Sequence, residues 1–197
     1  MVDAEALSDH RRMDAIVEAA LKKWPNVPHC HGWLALDARG DWYLRDDRAQ
    51  AAGSFPRVKG SRVEHAKLRE FIERNYGCDA AGEAAGSWFF QNGPQRVYVT
   101  LEAAPWVWRL HADEAGLPVV VSHTGLPARA QSTWLDERGR LFIATELGFG
   151  LVHTLDMELA SVAVERGPWV PQEMRFDAMP ARFAYCLQPL PIGAERA

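Results

Sequence analysis

Two stretches decide how the chain is read: Leu36-Asp37-Ala38-Arg39-Gly40-Asp41-Trp42-Tyr43-Leu44 and, about half the chain later, Leu135-Asp136-Glu137-Arg138-Gly139-Arg140-Leu141-Phe142-Ile143. Each runs from an apolar residue through Asp-x-Arg-Gly into an apolar triplet. Asp bonds readily to the backbone two residues on, and Gly supplies the positive φ of a tight turn. Alternating apolar residues on both sides predict a β-hairpin in each place. Each hairpin precedes a predicted helix and then a Gly-x-Trp, Gly86-Ser87-Trp88 and Gly167-Pro168-Trp169. The recurrence predicts two tandem related modules with a break near residue 104.

Working outward, Met13, Ile16, Val17, Ala20, Leu21 and Trp24 fall at helical spacing and predict an N-terminal helix over 9–24, capped by Ser8 or Asp9 and stopped by Pro25. Residues 46–60 read as a loop. Ser61-x-x-Glu64 is a capping-box pattern and predicts a second helix with Leu68, Phe71, Ile72 and Tyr76 on its buried stripe. Residues 87–145 alternate like strands, with turns at Asn92-Gly93, at 113–118 and at 136–140. Asp156 and Met157–Val164 predict a short helix, and 182–187 a final strand. The expected fold is α+β: two tandem modules, 1–104 and 105–197, each a small antiparallel sheet with a covering helix, plus the N-terminal helix.

The composition sets limits. The 197 residues carry a formal net charge of -4, with 22 basic and 26 acidic residues intermingled. A phosphate-backbone binder needs clustered Lys and Arg, so no nucleic-acid partner is expected. No run approaches the roughly 18 apolar residues of a membrane span. Asp3, Glu5 and Asp9 stand where a signal peptide would be basic and then apolar, so none is expected. Cys30, Cys78 and Cys186 form no CxxC pair and fit a reducing cytoplasm. Tryptophan is over-represented, at eight.

Three constellations could carry chemistry. In His29-Cys30-His31, alternate residues share a strand face, so two imidazoles could converge on a metal or act as acid and base. A third ligand would have to come from elsewhere, and Cys30 lacks a base on its own side. The run Thr145–Asp156 holds Glu146, His153 and Asp156 around Gly148 and Gly150, and it leads into a helix N-terminus that suits an anion. Trp106 and Trp108 share a sheet face, either in the core or as an exposed platform. There is no third glycine for a dinucleotide fingerprint, and no Walker A, HExxH or GxSxG motif.

The Asp-x-Arg-Gly-x-Trp turn, the helix after it, the strands running into Glu102-Ala103-Ala104-Pro105-Trp106, and the second hairpin resemble small uncharacterised proteobacterial domain-of-unknown-function proteins built from repeated β-hairpin/α motifs. The resemblance covers most of residues 30–188. It implies a role in signalling or ligand sensing and transfers no catalytic residue. The sequence therefore reads as a cytoplasmic, non-enzymatic regulatory or sensing protein that needs no cofactor and no metal. It would bind a small molecule or a protein between its two halves through Trp33, Trp106, Glu146, Gly148, Gly150, His153 and Asp156. The alternative is a metal-assisted or acid–base enzyme using His29, His31 and other histidines. A third reading is a homo-oligomer whose sheets pair across an interface.

Overall fold

The computed structural model describes residues 15–24, 27–82 and 84–191. The expected caps Ser8 and Asp9, residues 9–14 and Pro25 lie outside them; the described helix α1 spans Ala15–Lys23. The protein is mixed α+β, with two sheets and few helices. It divides into two compact units. One holds the chain to Leu36, Asp41–Glu102 and the chain from Cys186; the other holds Asp37–Gly40 and Ala103–Tyr185.

The first unit contains strands β1 (Cys30–Leu36), β2 (Trp42–Leu44), β3 (Ser61–Arg62), β4 (Tyr76–Cys78), β5 (Trp88–Asn92) and β6 (Gln95–Leu101), with helices α2 (Asp47–Ala52) and α3 (Ala66–Arg74). Their order in the sheet is β3-β2-β1-β6-β5-β4. At the β1–β2 turn, Asp37 Oδ1 accepts the Arg39 N–H at 2.9 Å, and Gly40 (φ 83°) donates its N–H to the Asp37 carbonyl. By register Leu34, Leu36, Trp42, Trp88, Phe90 and Val99 share one face. There Tyr76 packs edge-on against Trp42 at 5.1 Å, and Phe71 of α3 meets Phe90 at 5.4 Å.

The second unit contains β7 (Trp106–Ala112), β8 (Pro118–Ser122), β9 (Pro127–Ala128), β10 (Ala130–Leu135), β11 (Leu141–Thr145), β12 (Gly148–Val152) and β13 (Gln172–Glu173), with helices α4 (Met157–Glu165) and α5 (Met179–Arg182). The order is β13-β10-β11-β12-β7-β8-β9. Trp106 and Trp108 lie on one face of β7, both buried, with rings stacked at 5.8 Å. Their indole N–H groups donate to the carbonyls of Leu147 and Ile143 at 2.9 and 3.0 Å. The opposite face is a phenyl layer in which Phe149 stacks on Phe142 at 5.4 Å and on Phe183 at 3.8 Å.

Four expectations are corrected. The sheets are not antiparallel throughout: β1 pairs with β6, β7 with β12 and β10 with β13 in parallel. Hairpin signals report neighbours in sequence, whereas a parallel pair needs a long crossover that leaves no local mark. Ser61 does not start a helix. Ser61 and Arg62 pair with β2, and buried Val63 donates its N–H to the Trp42 carbonyl; the helix begins at Ala66, where His65 Nδ1 accepts the Leu68 N–H. Burying Val63 wins over the local capping pattern. The 46–60 loop contains α2 and wraps around buried Arg45, whose guanidinium donates to the carbonyls of Ala49, Gly53 and Val58. Finally, 182–187 is no strand. Phe183 and Tyr185 alternate because both supply the phenyl layer, on either side of a turn at Ala184 (φ 51°).

The six strands of the first sheet and β7–β12 of the second follow the same order and the same sequence of parallel and antiparallel pairings. Each parallel ladder closes alike, with Glu102 N–H on the Leu36 carbonyl and His153 N–H on the Trp108 carbonyl. The two Asp-x-Arg-Gly turns, however, are not counterparts. One joins β1 to β2 and the other β10 to β11, which correspond in strand order to β4 and β5.

Gly150 stands opposite Trp106 in the β7–β12 ladder, and a Cβ there would run into the Trp108 indole nitrogen and the Trp106 backbone oxygen. Gly150→Ala should cost about 1–3 kcal/mol of stability, the range for overpacking a closed core. Urea unfolding measures this; an unchanged midpoint would contradict the packing.

Candidate functional site

Six of the seven residues singled out from sequence lie in the second unit, each engaged in holding it together. Both carboxylate oxygens of Glu146 accept the Arg129 N–H, at 3.1 and 3.0 Å. The Gly148 carbonyl accepts the Thr145 hydroxyl, closing the β11–β12 turn, and Gly150 makes room for the two indoles. Trp106 is tied to Leu147. His153 Nδ1 accepts the Leu155 N–H at 3.1 Å and so caps a short 3-10 turn, Thr154–Asp156. Asp156 does not cap α4. Where β12 ends, its carboxylate takes the Leu110 N–H at 3.1 Å, together with two bonds from Arg109 at 2.6 and 3.1 Å. Burial alone would raise the Asp156 carboxyl, but the Arg109 and Leu110 donors outweigh it and hold the group below its ordinary range. The turn thus brings Trp106 and Glu146 to one place and His153 and Asp156 to another.

Trp33 is the exception. It lies in the first unit and is 43% exposed. The reason is a β-bulge. Cys30 stands opposite Val97 and Leu34 opposite Val99, so His31, Gly32 and Trp33 face the single residue Tyr98. Bulges bend a strand and re-aim its side chains, and they are over-represented beside functional sites. Gly32 makes this one possible. Its φ is 78°, and a Cβ would strike the Gln50 side chain of α2. Gln50 is itself fixed by donating to the Arg45 carbonyl at 3.0 Å.

The bulge gathers a polar–aromatic cluster. The His31 ring stacks on Tyr98 at 4.5 Å, and His29 meets the same ring edge-on at 5.9 Å. The Tyr98 hydroxyl donates to Asp79 Oδ2 at 2.7 Å, and Arg96 pairs with the other Asp79 oxygen. Arg96 also lies over the Phe89 ring at 4.4 Å. Burial, and then the hydrogen bond to Asp79, raise the Tyr98 phenol. Burial lowers the His31 imidazole, and the hydrogen bond to the Pro189 carbonyl offsets this only in part. His29 and His31 therefore converge on a tyrosine, and among the described residues no three His, Cys, Asp or Glu side chains are grouped to hold a metal. Sequence reasoning found the two histidines and Trp33. It missed Tyr98, Asp79, Arg96 and Gln50, which enter from other strands and a helix; only Gly32 between His31 and Trp33 hinted at a break in the strand.

The sequence matches the DUF2944 family, described as "Protein of unknown function (DUF2946)", over residues 13–190. The chain belongs to this family. Its membership agrees with the expected resemblance to uncharacterised domain proteins, and the family description carries no specific activity. Two solved structures are similar to it. One is a DUF1285 family protein from Shewanella baltica OS155, 15% identical, covering 66% of this chain and 91% of that one with a TM-score of 0.43. The other is a DUF1285 family protein from Silicibacter pomeroyi DSS-3, 11% identical, covering 75% and 82% with a TM-score of 0.44. No curated protein matches the sequence. No helix among the described residues of this DUF2944 member is long and apolar enough to cross a membrane.

Another histidine sets a pH limit on stability. His123 Nδ1 accepts the Val107 N–H at 3.3 Å, and its ring packs 5.7 Å from Trp106. Burial pushes its imidazole down to about 3. A folded-state value below the unfolded one means that the folded state binds fewer protons on acidification. The stability from neutral His123 is complete above about pH 6.5 and is lost as the pH falls towards the folded value. Between pH 7 and pH 5 this amounts to about 2 kcal/mol. Urea unfolding at the two pH values should show that loss, and His123→Gln should remove most of it. Equal wild-type stability at both values would contradict the burial.

Proposed function

We propose that this protein is a non-enzymatic ligand-sensing module and that it engages a small planar molecule at the bulged segment of β1. The carrying observation is the bulge, in which Trp33 is exposed two residues along the strand from the His31 that stacks on Tyr98. The support is comparative. Trp106 and Trp108, which the sequence left between core and platform, are buried and hydrogen-bonded. The β7–β12 ladder records no register break. An exposed indole held on a sheet offers a large rigid face at small entropic cost, which suits a flat partner. The residues 146–156 then serve as scaffold. The shared strand order of the two sheets supports a further reading, that the chain arose from two related modules parting near residue 104. Three cysteines without a disulfide support a cytoplasmic setting.

A second reading has an observation of its own. Tyr98 lies against two imidazoles and donates to a carboxylate, a set that suits acid–base chemistry. One comparison separates the two. Wild type and Trp33→Ala are screened for thermal shifts with a panel of planar heterocycles and aromatic acids. A sensing module gives a ligand that raises the melting temperature unchanged, binds Trp33→Ala at least tenfold more weakly, and leaves both proteins equally stable without ligand. Ligands that bind the variant as tightly as wild type would remove Trp33 from the site. Conversion of a bound compound, lost in His31→Gln, would establish the enzyme.

A further inference from the structure

Leu34 and Val99 stand opposite each other on the apolar face of the first sheet. The Trp33 carbonyl accepts the Arg45 N–H at 2.9 Å, so the ladder to β2 is regular at this point. By strand alternation Trp33 and Tyr98, the chain neighbours of Leu34 and Val99, lie on the other face and on adjacent strands. The His29 and His31 rings meet Tyr98 there. His29 and Trp33 are exposed, whereas Tyr98 is buried.

The polar groups that this face offers to solvent are donors. His29 Nδ1 accepts the Arg96 backbone N–H at 3.4 Å, so the neutral ring carries its proton on Nε2. The Arg96 side chain is 35% exposed, and Asp79 takes only its Nη1. Acceptors are scarce. Residues 27–35 and 88–101, which supply β1, β5 and β6, contain no Asp or Glu. Both oxygens of Asp79 are occupied, one by Arg96 and the other by the Tyr98 hydroxyl, and its side chain is only 12% exposed. Towards Gly32, α2 turns the neutral Gln50, and Asp46 before that helix is committed to the Ala49 N–H.

We propose that the planar molecule taken at the bulge is an aromatic carboxylate, with Trp33 covering its ring and the His29 Nε2–H and the Arg96 guanidinium receiving its carboxylate. This rests on the reading of the bulge as a ligand site and narrows that site to one chemical class. An indole face stacks on any flat ring, so the ring alone gives little selection; the donors supply it. A carboxylate carries acceptors only, and its bond to a guanidinium is charge-assisted, roughly twice as strong as a neutral one. The matching carboxamide has one acceptor and an NH₂ group, and on this face that NH₂ meets further donors. A cationic ring would be repelled by Arg96.

Titration calorimetry on the intact protein tests this with three matched pairs: benzoate and benzamide, indole-3-carboxylate and indole-3-carboxamide, quinoline-2-carboxylate and quinoline-2-carboxamide. At least one acid should bind about tenfold or more tightly than its amide. Raising NaCl from about 20 to about 300 mM should weaken the acid and leave the amide unchanged, since only the acid meets a charge. Trp33→Ala should weaken both members of the pair. His29→Leu, at an exposed position, should cut the preference for the acid at least threefold, and Arg96→Gln should abolish it. Should Arg96→Gln not fold, His29→Leu and the salt dependence of wild type decide. An amide that binds as tightly as its acid, and through Trp33, would overturn the carboxylate while leaving the ligand site standing. A preference that is unchanged in His29→Leu and Arg96→Gln, or that does not respond to salt, would overturn it too. Failure of all six compounds to bind would overturn the carboxylate, and the wider heterocycle panel with Trp33→Ala then decides the site separately.

Discussion

The parallel ladder between β1 and β6 is the constraint on which the first unit depends. β1 is the strand that joins the β2–β3 side of the sheet to the β6–β5–β4 side, and no turn connects β1 to β6 directly. Leu34 opposite Val99 and Leu36 opposite Leu101 are buried there, and this apolar register fixes which face of every neighbouring strand points inward. A slip by one residue between β1 and β6 would put Trp42 on the opposite face of the sheet from Trp88 and Phe90. The second unit repeats the arrangement with β7 and β12, where Gly150 replaces a side chain so that two indoles can lie flat.

Within that frame carboxylates act mainly as partners for backbone N–H groups and guanidinium. Asp37 and Asp136 close turns, Asp79 joins Arg96 to Tyr98, and Asp156 takes over the Leu110 N–H where β12 has ended. Asp136 sits in a turn where burial alone would raise it, yet donors from Arg140 and Arg138 bring it below its ordinary range. The acidic excess of the sequence is thus in part a structural resource, spent on places where a ladder or turn would otherwise leave an N–H without an acceptor. The β1 bulge is different. Among the described residues it leaves a buried imidazole nitrogen without a hydrogen-bond partner and Trp33 exposed.

Much of this was legible locally. The turns at Gly40 and Gly139, the hairpin strands and the helix starting at Met157 all follow from residue types acting on near neighbours. What escaped depends on distant residues. The parallel pairs required knowing that β1 meets β6 after a long crossover. Ser61 carries a helix-start pattern, but its neighbour Val63 is worth more buried near Trp42. The recurrence of Asp-x-Arg-Gly predicts a repeat of modules, yet the two turns stand at places that do not correspond in strand order. At the candidate site, His29, His31 and Trp33 were visible as residue types, while the bulge that gives them different surroundings was not. Tyr98 and Asp79 come from far along the chain, and no spacing rule links them to His31.

The exposed Trp33 and the stacked His31 both lie in the bulge of β1. Cross-strand nuclear Overhauser contacts along β1 and β6 in the unliganded protein test it directly. The bulge predicts backbone contacts of Leu34 with Val99 and of Cys30 with Val97, with Gly32 making none to Val97. An unbroken parallel register, in which Gly32 lies opposite Val97, would contradict it.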